Sequence, residues 1–97
     1  MIARVFTVTM KPEMLDTAVR EWPAATAQFK PQGLVRGDML LLDRASCKVM
    51  SVTIWENEEK VAALLASPDL SSTMARFRSF FASEPVIVQY QVAASVI

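Results

Sequence analysis

At 97 residues, with ten basic and ten acidic side chains in formal balance, the chain is sized for one domain, and it lacks the basic footprint that holds nucleic acid phosphates. Its hydrophobic fraction of 53% exceeds the usual value of about 45–50%, which implies more apolar surface than one small monomer hides and therefore a partner surface. The longest apolar runs are too short to span a bilayer, and an N-terminus with Arg4 inside a strand pattern does not read as a signal peptide, so a cytoplasmic protein without membrane contact is expected.

Histidine is absent and Cys47 is the single cysteine. That removes the commonest general base, the commonest zinc ligand and the usual haem ligand, and it rules out an intrachain disulfide. No metal and no other cofactor is expected. Cys47, with no neighbouring histidine to activate it, reads as a plain apolar strand residue.

In chain order, Ile2 to Met10 reads as a first strand, rich in β-favouring Val5, Phe6, Thr7, Val8 and Thr9 and apolar on both faces. Pro12 suits the first turn of a helix in which Leu15, Ala18, Val19, Trp22, Ala25 and Phe29 recur at helical spacing, with Asp16 and Arg20 able to pair on the solvent side. Pro23 lacks an N–H and crowds the carbonyl of Val19, so a bend beside Trp22 is expected, with space beneath it. Lys30-Pro31-Gln32-Gly33 ends the helix. Leu34 to Arg44 follows as a second strand, and Ala45-Ser46 is the expected turn. Folding about those two residues pairs Asp43 with Lys48, Leu41 with Met50 and Met39 with Val52 on one face. The other face then carries Leu40 opposite Ser51, Asp38 opposite Thr53 and Arg36 opposite Trp55.

The third strand runs through Val52-Thr53-Ile54-Trp55 and changes character abruptly at Glu56-Asn57-Glu58-Glu59. Asn57 can cap a helix, and the two glutamates place negative charge at the positive end of its dipole. Adjacent helical residues point in different directions, so Glu58 and Glu59 are not a catalytic carboxylate pair. A short helix should carry Val61, Ala62, Leu64 and Leu65 inward, and Ser67-Pro68 restarts a second one with Leu70, Met74, Phe77 and Phe81 at helical spacing. Pro85 opens a last strand from Val86 to Val96, with Val86, Val88, Tyr90 and Val92 on one face and Ile87, Gln89, Gln91 and Ala93 on the other.

The order β-α-β-β-α-β is the ferredoxin-like arrangement, an α+β fold of four antiparallel strands with helices on one face. The uncovered face keeps apolar groups such as Leu40, Leu42 and Val49, a patch that a homodimer with sheets packed face to face would bury.

A strand ending in Ser51-x-x-x-Trp55, followed by Glu56, a capping residue and acidic residues, resembles the antibiotic-biosynthesis-monooxygenase superfamily of dimeric α/β-barrel domains. The resemblance covers nearly the whole chain. It implies a homodimeric barrel with a small-molecule pocket between the sheet and helices of each subunit. Trp55 matches the superfamily's strand-end tryptophan and reads either as a packing residue or as a ligand-stacking face. The haem-degrading branch depends on an asparagine, a tryptophan and a histidine, and those places hold Val5, Leu64 and Met74 here, so haem degradation is disfavoured, as is isomerisation by a histidine base.

The leading reading is a cofactor-independent monooxygenase of a quinol or polycyclic phenol, with Trp22, Phe29, Trp55, Leu64, Met74 and Phe77 as candidate substrate-binding residues. Tyr90, whose hydroxyl could give a proton or hydrogen bond to a substrate oxygen, is the one weak catalytic candidate. The alternative is a non-catalytic homodimeric module that binds a small aromatic or apolar molecule.

Overall fold

The computed structural model describes residues 1–96. Its elements are β1 (Ile2–Thr9), α1 (Leu15–Ala27), β2 (Leu34–Asp43), β3 (Lys48–Trp55), α2 (Glu58–Leu65), α3 (Pro68–Arg78) and β4 (Val86–Gln91), with single 3-10 turns at Pro12–Met14 and Lys30–Gln32. The strands form one antiparallel sheet in the order β2-β3-β1-β4. This is the expected ferredoxin-like α+β arrangement, open at both edges.

The helix starts follow their local chemistry. Asn57 Oδ1 accepts the Lys60 N–H at 2.9 Å ahead of α2, and Ser67 Oγ accepts the Asp69 N–H at 3.2 Å ahead of α3, so each cap satisfies a donor that the first turn leaves free. Gly33 adopts φ 100° as the chain enters β2, a left-handed conformation that a side chain resists. Its carbonyl accepts the Glu56 N–H at 3.0 Å, which ties the entry of β2 to the exit of β3. Pro23 lies inside α1, which continues to Ala27.

The β2–β3 hairpin corrects the expected register. Arg44 to Cys47 form a four-residue turn, Cys47 takes φ 61°, and the pairing shifts between Leu41 and Asp43. Asp43 does face Lys48, but beyond the shift Leu41 pairs with Val49, Leu40 with Met50, Met39 with Ser51 and Gly37 with Thr53. A bulge inserts one residue on one strand, and one residue is enough to exchange the two faces. Cys47 is therefore a buried turn residue ahead of β3, and its carbonyl accepts the Met10 N–H at 2.9 Å.

With this register, Ile2, Arg4, Phe6 and Val8 of β1 share the helix-covered face with Trp55, Thr53, Ser51 and Val49 of β3 and with Met39 of β2. Val49 is nearly fully buried there and does not belong to the open face. The open face carries Val5, Met50, Val52, Ile54, Leu40, Val88 and Tyr90. Arg36 and Asp38, also on that face, form an ion pair at 2.8 Å within β2.

Other expectations shift at the margins. Val19, Ala62 and Leu65 are exposed, and Phe80, outside the helical spacing, is buried in addition to Phe81, which packs partly buried against the same cluster. Arg20 reaches Thr17 and forms no ion pair with Asp16 among the described residues. β4 ends at Gln91, well short of Val96, with one further hydrogen bond from the Val92 N–H to the Met1 carbonyl.

The core divides in two. One cluster gathers Val8, Met10, Leu15, Ala18, Cys47, Val49, Phe77 and Phe80, and a second gathers Ile2, Phe29, Leu34, Trp55, Val61 and Leu64. Met10, Val49 and Phe77 of the first cluster and Phe29, Trp55 and Leu64 of the second line a common hollow.

Candidate functional site

The hollow lies between the helix-covered face of the sheet and helices α1 and α3, with a volume of about 270 Å³. All six of the candidate binding residues, Trp22, Phe29, Trp55, Leu64, Met74 and Phe77, line it. Strands β1 to β3 contribute Arg4, Phe6, Met39, Ser51 and Thr53, and β4 contributes Ile87.

Each aromatic wall has a local reason for its placement. Trp22, from α1, lies over Gly37 of β2: a Cβ there would sit 3.2 Å from Trp22 Cη2, so the glycine gives the indole room to approach the strand. Trp55 is 2% exposed, its ring 6.4 Å from that of Phe29, and its Nε1 donates to Thr53 Oγ1 at 2.9 Å. That bond satisfies the indole's only donor inside the core, and it makes Trp55 a packed residue as well as a wall. Phe77 meets Phe80 edge-on at 5.3 Å. Helices α1 and α3 are tied by the Glu21–Arg76 ion pair and by a hydrogen bond from Gln28 Nε2 to Thr73 Oγ1 at 3.0 Å.

Tyr90 is not part of this group. It pairs with Ala3 in the sheet, so its side chain stands on the open face, and it is 54% exposed. Asn57 serves as the cap of α2 and does not line the hollow.

Beyond apolar groups such as Phe6 and Ile87, the residues that sequence reading left out are the polar part of the lining. Arg4, Ser51, Thr53, Thr26, Thr73 and Arg78 line the hollow, whereas no Asp or Glu among the described residues does. Arg4 is the unusual one, a cation on a central strand that shares its face with Ile2 and Phe6. Its position at even parity between two core residues was the available signal. Burial pulls its guanidinium below the ordinary value, and no opposing charge contributes. Among the described residues no three Cys, Asp or Glu side chains gather where they could hold a metal ion.

No protein-family model and no curated protein matches the chain. Solved structures do match it. An antibiotic biosynthesis monooxygenase superposes over 97% of this chain and 100% of its own, with 9% identity and a TM-score of 0.78. SnoaB, a cofactor-independent oxygenase from Streptomyces nogalater, covers 98% of this chain and 95% of its own, at 15% identity and a TM-score of 0.78. The chain carries the antibiotic biosynthesis monooxygenase fold. A third structure with the same fold, the protein NE2512 of unknown function from Nitrosomonas europaea, covers 99% of this chain and 92% of its own at 15% identity and a TM-score of 0.80. Within the antibiotic biosynthesis monooxygenase fold, this chain offers a hollow whose walls are aromatic and thioether groups and whose polar groups are hydroxyls and guanidinium cations. Such a lining has the shape and chemistry to pack against a planar apolar body and to offer it a few polar contacts.

Proposed function

We propose that the protein is a cofactor-independent monooxygenase that takes a quinol or polycyclic phenol into the hollow between its helices and sheet. The observation that supports this most is the convergence of Trp22, Phe29, Trp55, Met74 and Phe77 on one apolar hollow in a fold shared with a cofactor-independent oxygenase. In this chemistry the deprotonated, electron-rich ring supplies the electrons to dioxygen. One oxygen atom enters a ring carbon and the other leaves as water. The protein then has to exclude bulk water, hold the ring and stabilise its anion, all within reach of this lining.

The working unit in this reading is a homodimer. The open sheet face carries Val86, Val88 and Tyr90 on one edge strand and Leu40 on the other at 39–61% exposure, with Val5, Met50, Val52 and Ile54 on the strands between them, an apolar surface of the kind that marks an association site. A second copy packing its own sheet there would cover it.

A non-catalytic ligand-binding module is the second reading, favoured by the absence, among the described residues, of any carboxylate side chain from the lining of the hollow and by the position of Tyr90 on the opposite face. Oxygen consumption by the purified protein with a panel of dihydroxynaphthalenes and anthrones separates the two. Turnover above the rate of autoxidation supports the monooxygenase. Tight binding without oxygen uptake supports the module.

A further inference from the structure

We propose that Arg4 makes the hollow selective for aromatic ligands that carry an anionic oxygen, phenolate or carboxylate, which its guanidinium receives beside the Thr53 hydroxyl. The proposal deepens the reading of the hollow as a ligand site and rests on it.

Arg4 lines the hollow from central strand β1, between Ile2 and Phe6 on the same face, with Thr53 of β3 and Gln89 of β4 as its cross-strand neighbours. Among the described residues it makes no side-chain hydrogen bond and no ion pair; the two ion pairs are Arg36–Asp38 and Glu21–Arg76. The chain has ten acidic residues to offer, yet none of those described lines the hollow. A cation taken partly out of water without a counter-charge loses hydration and gains nothing in return. Burial lowers the Arg4 pKa accordingly.

A guanidinium fork matches two oxygen lone pairs, and its hydrogen bonds to a charged acceptor are roughly twice as strong as neutral ones. An incoming phenolate or carboxylate would supply the counter-charge that the protein withholds. The same cation would favour the ionised form of a bound phenol, because an opposite charge nearby lowers an acid's pKa. Arg78, at the end of α3, also lines the hollow but is exposed, and charges in solvent discriminate poorly.

The test compares 2-naphthoate, its methyl ester, 2-naphthol and naphthalene by quenching of the Trp22 and Trp55 fluorescence, in the wild-type protein and in Arg4→Met, Arg4→Lys and Arg78→Gln. The expected result is wild-type binding of 2-naphthoate about tenfold or more tighter than of its ester, the factor that a charged hydrogen bond commands. Arg4→Met should erase that preference while ester binding stays within about twofold, and Arg4→Lys should retain part of it. Tight 2-naphthol binding with the red-shifted absorbance of naphtholate identifies phenolate as the favoured oxygen, and a preference confined to 2-naphthoate identifies carboxylate. Equal wild-type affinity for acid and ester overturns the proposal and leaves the apolar hollow as a binding site. A preference lost in Arg78→Gln but kept in Arg4→Met overturns the assignment to Arg4. If none of the four compounds binds, the proposal falls together with the reading of the hollow as a ligand site.

Discussion

Truncating Phe77 to alanine tests whether the wall of the hollow is also structural. Phe77 is 6% exposed and packs edge-on against Phe80 at 5.3 Å. Returning a buried phenyl group to the unfolded reference costs about 2–3 kcal/mol, and the lost aromatic pair adds roughly 0.5–1.5 kcal/mol. The usual further cost, ~24 cal/mol for each Å³ of void left behind, is reduced here because the vacated space joins a hollow of about 270 Å³. The sum is about 3–4 kcal/mol, within the ~3–5 kcal/mol known for Phe→Ala. For a domain of this size the loss corresponds to a fall of on the order of 15–25 °C in melting temperature. Urea unfolding followed by circular dichroism measures it, at one fixed protein concentration because association contributes to apparent stability. The substitution should also admit a bulkier ring system. A loss below about 1 kcal/mol, with the fold intact, would show that Phe77 does not hold the α3 side of the core.

Three further outcomes are expected. Gly33→Ala should cost about 1–2 kcal/mol or more, because φ 100° is unfavourable for any residue with a Cβ; the new methyl would also fall 2.8 Å from Lys60 Cγ and 2.9 Å from Lys60 Cβ, so adding Lys60→Ala, which keeps Cβ, should recover only a part of the steric cost and none of the backbone cost, as urea melts of the single and double variants will show. Leu40→Lys places a charge on the open sheet face, where Leu40 opposes Met50, and should convert a dimer to a monomer in sedimentation equilibrium with the far-ultraviolet spectrum unchanged; a variant that stays dimeric refutes that interface. Asp43 Oδ2 accepts from the Ser46 hydroxyl at 2.7 Å and the Ser46 N–H at 3.2 Å, which hold the carboxyl below its ordinary value of 3.8. A depressed folded-state value stabilises above pH 3.8 and is lost as the pH falls through it, so the stability difference between wild type and Ser46→Ala should shrink on acidification; a difference that does not change with pH contradicts this.

Most of the secondary structure was legible in the sequence because its signals act over a few residues. Val52 to Trp55 favour a pleated strand, Asn57 and Ser67 accept free N–H groups in the first turns of α2 and α3, and Pro68 has a backbone angle suited to the first position of a helix. The aromatic members of the hollow were legible too, since helical periodicity places Trp22, Met74 and Phe77 inward wherever the helices dock. Only the tertiary structure decided which groups oppose one another. The β2–β3 register depends on the four-residue turn and on the left-handed Cys47 that closes it, and no local preference forces a cysteine into that conformation. One inserted residue exchanged Leu40 for Met39 as the neighbour of Ser51, since side chains alternate with a period of two. Tyr90 and Arg4 show the same dependence. Both lie on strands plainly readable as strands, but the sheet order and register turn Tyr90 away from the hollow and Arg4 into it. A strand's pattern gives the alternation of its faces, and the packing of helices against one of them decides which face becomes the site.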